Sequence, residues 1–400
     1  MHSQQIPCRE HPSYVQGHRA AFFALFAQVI GSVMPCRAAE CKALTLPAGV
    51  AHHGAAVVRK RAPVFLLLSL LLAAAALLGV GVGAVPVSPV SLVRLVMVRL
   101  GIGALTATES RDVVILLLLR LPRVVAAMLV GASLAVCGVV MQGLFRNPMA
   151  SPEILGLSAG GSLGAVIAIT TGLAAQAVFA IPGFTIAGAL GSALCIYLLS
   201  SSRGTTSLLY IVIAGLAMSS LFGGLISALL LFSREYQVSQ FVFWTMGGLE
   251  GRGWQHILVS APILVPGMAA LGLFTRELNL FTLGEQEALA LGMPVELTKR
   301  VLLAISAVVT GVAISVGGPI GFVGLLIPHL FRFLVGPDHR VLLPASALGG
   351  AAFLVICDLA GRALFPPFEI RVGIITAVIG SPYLLGLVVR IQRRDAVRAR

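Results

Sequence analysis

PVFLLLSLLLAAAALLGVGVGAV, residues 63–85, decides what kind of protein this is. It carries no charged side chain, and a helix needs roughly 20 largely apolar residues to cross a bilayer. Working outward, similar stretches recur near 113–143, 154–172, 176–199, 207–232, 255–274, 300–318, 320–336, 341–361 and 372–390. The reading is an all-α, polytopic membrane protein of about ten spans. Segments 154–172 and 320–336 are short and glycine-rich, which blurs their ends. Composition agrees, with 58% hydrophobic residues, 11% charged residues and a mean hydropathy of +0.99. Soluble domains carry about 25% charged residues. A soluble enzyme or nucleic-acid-binding domain is excluded.

The formal charge of +13 sits in short connections between apolar runs, where it reports orientation. RKR at 59–61 precedes the first span and RIQRRDAVRAR follows the last. An even number of spans then puts both termini in the cytoplasm, in a bacterial inner membrane. From residue 59 onward, Lys and Arg divide roughly 15 inside to 9 outside on this topology. Residues 1–58 differ: they hold His2, His11, His18, His52 and His53 with scattered prolines and a short apolar stretch around Ala20–Met34. They read as a disordered extension or as sequence upstream of the true start, with residues 59–400 forming the membrane domain. Cys8, Cys36 and Cys41 lie in that extension, and Cys137, Cys195 and Cys357 lie in apolar spans. No CxxC pair occurs, so the thiols read as buried small hydrophobes rather than metal or redox groups.

Glycines at four-residue spacing, as in Gly156/Gly160/Gly164 and Gly311/Ser315, let helix backbones approach closely where lipid supplies no hydrophobic drive. The most polar connection of the membrane portion is TRELNLFTLGEQEALALGMPVELTKR, residues 275–300. Thr282 with Glu285 three residues on forms a capping-box pattern. Ala288, Leu289 and Leu291 follow at helical positions, with Gly292 as C-cap and Pro294 as stop. This predicts a helix of about two turns, at about 284–293, too short to cross a bilayer. Surface helices that rest on lipid are rich in Lys and Arg. This one carries Glu285 and Glu287, so it reads as fitting a groove in a partner protein.

Chemistry is sparse elsewhere. The lysines are Lys42, Lys60 and Lys299, and no GxxxxGK[ST] loop surrounds any of them. Gly79, Gly81 and Ala84 imitate a dinucleotide fingerprint but sit inside an apolar span, with no strand before them. Asp358 is the one acid well inside a span, and Arg362 one turn on reads as its structural partner rather than as half of a proton relay. Neither His256 nor His329 belongs to a metal-ligand pattern. The sequence therefore predicts no catalysis, no bound metal and an energy source in a separate subunit.

Three long motifs now carry a resemblance. RLPRVVAAMLVGASLAVCGVVMQGLFRNPMASPEILGLSAGGSLG (120–164), LGEQEALALGMP (283–294) and GPIGFVGLLIPHLFRFLVGPDHRVLLPASALGGAAFLVICDLAGR (318–362) resemble the FecCD/BtuC-like family. These are the vitamin B12 and iron-chelate permeases of ATP-binding-cassette importers. The resemblance covers about residues 60–395. It implies ten spans per subunit and a homodimer with the path on its two-fold axis. It also implies two ATPase subunits that use ATP and magnesium on the cytoplasmic side, and a periplasmic binding protein above. It marks Glu285, Glu287, Ala288, Leu289, Leu291 and Gly292 as the coupling helix for the ATPase. Arg120, Arg123 and Arg362 match the arginines that receive glutamates of the binding protein, the alternative being anchors of helix ends. Asn147, Pro148 and Met149, with Thr205, Thr206 and Ser207, match the cytoplasmic gates. Pro148 and Pro152 preclude a continuous helix there. Arg371 departs from the family, where many relatives carry proline.

The cargo is read from FRNPMASPEILG (145–156) and FVFWTMGGLEGRGW (241–254), which look most like haem permeases of the HmuU/BhuU type. Haem is flat, apolar and anionic at its propionates, which suits an apolar path with arginines near its entry. The same logic admits a ferric siderophore, and cobalamin belongs to the same importer class. An ion-coupled secondary transporter is the rival from another class, and a membrane-embedded enzyme lacks a convergent polar site.

Overall fold

A computed structural model of the chain describes residues 49–83, 107–202, 205–365 and 368–398. The histidine-rich stretch before residue 49, its three cysteines and the end of the first apolar segment lie outside the described residues. The chain divides into two compact units, Met1–Lys60 and Arg61–Arg400. The first helix, α1 (Gly49–Gly81), starts inside the predicted extension.

The second unit is a helical bundle. Among the described residues, seven helices are long and apolar enough to cross a membrane, and three shorter apolar ones cover Leu157–Thr170, Val323–Val335 and Val372–Leu387. Together they overlie the ten apolar segments of the sequence. In chain order α1 is followed by α2 (Ala107–Val114), a π-helical stretch Ile115–Arg120 and α3 (Leu121–Leu144). Pro122 in the first turn of α3 cannot donate to the preceding ladder. The wider turn before it lets Leu121 N–H reach back to the Leu116 carbonyl. Next come α4 (Leu157–Thr170), α5 (Leu173–Gln176) and α6 (Ala180–Ser200), then strands β1 (Ser201–Ser202) and β2 (Thr205–Thr206). The rest is α7 (Leu208–Leu231), α8 (Glu235–Thr245), α9 (Trp254–Leu273), α10 (Thr275–Phe281), α11 (Glu285–Ala290), α12 (Val295–Gly317), α13 (Val323–Val335), α14 (His339–Ala363) and α15 (Val372–Arg398).

Helix α3 is the axle of the bundle. It packs against α9, α12, α13 and α14, and most of its side chains are buried. Its contact with α14 needs Gly131 against Gly350, where a Cβ on either would run into the other's carbonyl. The glycine spacing of α4 works the same way at Gly160 and Gly164, which lie on the backbone of α6 at Gly188 and Phe184. Gly156 differs from the expected stripe, because it caps α4 in a left-handed conformation (φ 61°). By contrast α1 and α7 lie at the periphery and turn leucines such as Leu66, Leu77, Leu216 and Leu231 outward. Such all-round apolar helices suit a lipid surround.

The polar connection 275–300 corrects one expectation. It contains two short helices, α10 and α11, and the capping box does not form. Thr282 ends α10, with its hydroxyl donating to the Asn279 carbonyl at 2.6 Å, and Gly284 (φ 137°) makes the sharp turn into α11. A glycine able to take that angle redirects the chain more tightly than a threonine cap would. At the far end Gly292 is left-handed (φ 82°), as a C-cap should be.

Candidate functional site

One end of the bundle gathers α11, the β1–β2 hairpin, the loop after α3 and the first turn of α12. The hairpin pairs Ser201 with Thr206 and Ser202 with Thr205 in antiparallel register. The Ser201 and Thr206 hydroxyls meet at 3.1 Å. Sequence reading had only a loop there. The signal was two short β-compatible pairs separated by two residues, one a glycine.

At its root lies Lys299, 1% exposed, which the sequence did not single out as functional. Its ammonium donates to the Thr206 carbonyl (3.0 Å) and Glu285 Oε2 (2.9 Å), and pairs with Glu296 Oε1 at 2.8 Å. Three donors meet three acceptors, which a buried ammonium requires. Glu296 Oε2 in turn accepts from the Thr206 N–H at 2.9 Å. Both backbone polar groups of Thr206, its N–H and its C=O, are therefore held by side chains of α12.

Of the predicted coupling residues, Ala288 is buried, while Leu289 (64% exposed) and Leu291 stand in the open. Leu283, just before the helix, is exposed too. Two clefts flank α11. One, about 590 Å³, runs between Phe145, Arg146 and Leu208 on one side and Glu285 and Glu287 on the other. The second, about 450 Å³, lies against Leu289, Pro294 and Leu297.

The loop after α3 breaks the helix as its prolines dictate. Asn147 Oδ1 accepts from the Met149 N–H (2.9 Å), Arg146 takes a left-handed conformation (φ 50°), and Pro152 opens a single 3₁₀ turn. Asn147 and Pro148 are exposed, and Thr206 is buried. The structure thus brings both predicted gate segments to the same end as the predicted coupling helix.

Arg120, Arg123 and Arg362 cluster at another place, around the C-terminus of α1, but not as an open acceptor surface. Arg120 donates to the carbonyls of Val80 (3.1 Å) and Gly81 (2.7 Å). Arg362 donates to those of Gly79 (2.9 Å) and Val82 (3.1 Å). A helix C-terminus leaves its last carbonyls without partners and carries partial negative charge, so two cations settle there. Arg120 and Arg362 are only 6% and 4% exposed, which runs against their expected role as open receptors for an outside carboxylate. Asp358 joins the cluster, reaching Arg123 Nε at 2.9 Å and Arg362 Nε at 3.0 Å. Arg123 keeps the most exposure of the three and also pairs with Glu369 at 2.8 Å.

Arg371, the departure from the family pattern, pairs with Glu250 (3.2 Å) and lies over the Phe243 ring at 5.4 Å. His256 contacts Arg252 at 3.3 Å. Burial, then the Arg371 charge, lowers the pKa of the Arg252 guanidinium. Helix α8, which holds Phe243, was missing from the sequence reading. Its clue was Gln237, whose side chain accepts from the Arg234 N–H at 3.0 Å. His329 is buried against Phe333 and Tyr383. Among the described residues no group of three or more His, Cys, Asp or Glu side chains could hold a metal.

The chain matches the FecCD transport family over residues 70–390. It is 46% identical over 269 residues to the cobalamin import system permease protein BtuC of Halobacterium salinarum, covering 67% of this chain and 72% of that protein. It is 40% identical over 314 residues to the hemin transport system permease protein HmuU of Yersinia pestis, covering 75% and 94%. The Fe(3+) dicitrate transport system permease protein FecD of Escherichia coli is 37% identical over 273 residues, covering 68% of this chain and 84% of that protein. A solved structure described as a metal-chelate type ABC transporter in an inward-facing conformation superposes with a TM-score of 0.71 at 33% identity, covering 81% of this chain and 97% of that one. With a helical bundle of this order and a family match over most of its length, the chain belongs to the FecCD transport family, the multi-pass membrane permeases of ATP-binding-cassette importers.

Proposed function

We propose that this chain forms the path by which haem crosses the inner membrane, received from a periplasmic binding protein and driven by two separate ATPase subunits. In this reading two copies pair around the path, and both termini face the cytoplasm, as does the end that holds α11. The observation that carries the driven mechanism is α11 itself. It is a helix of six residues whose exposed Leu289 and adjoining Leu291 have no bundle to pack on, flanked by clefts on both sides. An apolar, acid-edged projection of that size suits a protein groove better than an anionic lipid surface.

Asn147–Met149 and Thr205–Ser207 serve as the cytoplasmic gate, placed beside α11 where a push from the ATPase reaches them. Arg120 and Arg362 hold the end of α1 in place, while Arg123 and Glu369 lie on the docking face for the binding protein. ATP and magnesium belong to the partner subunits. Asp358, held between Arg123 and Arg362, is poorly placed to relay protons, which weighs against an ion-coupled transporter.

Haem is favoured by the match along 94% of the hemin permease. Cobalamin is the second reading, favoured by the 46% identity to the Halobacterium permease. Reconstitution with the cognate ATPase and binding protein, followed by uptake of haemin, a ferric siderophore and cobalamin in parallel, separates them. Haemin is expected to accumulate fastest, and faster uptake of cobalamin would replace the haem assignment.

A further inference from the structure

Lys299 ties three separate pieces of chain together at one nitrogen. Glu285 belongs to the exposed helix α11, Thr206 to the hairpin, and Glu296 to the first turn of α12. The hairpin is clamped through both the N–H and the C=O of Thr206, so it cannot slide relative to Lys299 and Glu296 without breaking a charge-assisted hydrogen bond. Helix α11 is gripped through Glu285, whose side chain is 40% exposed and lies at the edge of both flanking clefts. We propose that Lys299 is the positioning residue that transmits movement of α11 to the gate hairpin, so that the ATPase stroke is felt at Thr206 through a single ammonium.

The residue type fits the task. An ammonium is a compact charge with three donors that converge on three acceptors, whereas a guanidinium presents a planar fork. Arginine would preserve the charge but not the three-way convergence. Coupling carried this way needs an element with two arrangements that both sites bias, and a two-stranded hairpin of two residues per strand is small enough to shift as a unit.

The proposal rests on the importer reading, and its test separates the two. The full complex of permease, ATPase and binding protein is assembled in lipid nanodiscs, with Ser207→Cys as a reporter beside the hairpin in a background lacking native cysteines. The rate of labelling by a water-soluble maleimide is measured with no nucleotide and with ATP plus vanadate. Intact Lys299 should give a nucleotide-dependent change in labelling of about ten-fold, a typical size for coupling between sites. Lys299→Met should bring that ratio close to one while the ATPase still co-purifies, and Lys299→Arg should restore only part of it. A structural role alone would change folded yield but leave the ratio intact in the protein that folds. Should Lys299→Met fail to fold, Glu285→Ala, which removes the acceptor on α11 and leaves the ammonium with Glu296 and Thr206, should also shrink the ratio. A full ratio in any folded variant that has lost the Glu285 link overturns the proposal. No nucleotide response with Lys299 intact overturns the importer reading and the transmission role with it.

Discussion

Around the end of α1, the guanidiniums of Arg120 and Arg362 rest on four successive carbonyls, Gly79 to Val82, with Asp358 paired to Arg362. Beside α11, the ammonium of Lys299 touches a six-residue helix, a hairpin and a helix start. Both are buried cations, and both answer the rule that a buried charge needs partners. They differ in what the partners belong to. The arginines bind the C-terminal carbonyls of one long peripheral helix, α1, so they tie its end to the bundle. The lysine binds short elements with open clefts beside them, so it joins parts that have room to move. Burial alone does not say whether a charge is there for rigidity or for transmission. The size and packing of the elements it connects do.

That contrast should show as a graded series of effects. Asp358→Ala should be the most damaging, because it leaves the buried Arg362 and the half-buried Arg123 without their shared carboxylate, at a cost of about 3–5 kcal/mol. Fluorescence-detected size exclusion across a temperature ramp would show loss of folded protein, and an unchanged profile would mean the cluster is not structural. Arg120→Met removes two hydrogen bonds to carbonyls and should cost about 2 kcal/mol in the same assay. Leu289→Ala at the other end should leave the melting profile alone yet weaken ATPase binding about ten-fold, the effect of a modest interface hot spot. Binding measured by interferometry on the solubilised chain would check it, and equal affinity would remove α11 from the interface. Glu369→Gln breaks a half-exposed pair with Arg123 and should shift stability by less than about 1 kcal/mol, diminishing further in high salt. A larger loss would mean that the arginine cluster depends on its outer edge more than on Asp358.

How much of this was legible in the sequence follows from the range of each interaction. The spans were legible because an unbroken run of about twenty apolar residues is the mark of a bilayer-crossing helix. The Asp358–Arg362 pair was legible because one helical turn separates its members. The break after α3 followed from Pro148 and Pro152. What was missed is non-local. Lys299 meets Thr206 across 93 residues, and Arg362 meets Gly79 across 283, and no spacing rule reaches that far. The arginines were therefore read from the family resemblance as docking residues, without sight of the carbonyls that Arg120 and Arg362 would occupy. Thr282 misled for the opposite reason. A local capping pattern was present, but the adjacent Gly284 offered the chain a tighter turn.

On the proposed reading, the bundle has no engine of its own and is worked from the end that carries α11. Radiolabelled haemin uptake into proteoliposomes tests this most directly, with the chain alone under an imposed proton gradient compared with the complete complex supplied with ATP. Accumulation should require the ATPase subunits and ATP, with no uphill uptake by the chain alone. Uphill uptake driven by the gradient, in vesicles that hold no ATPase, would contradict it.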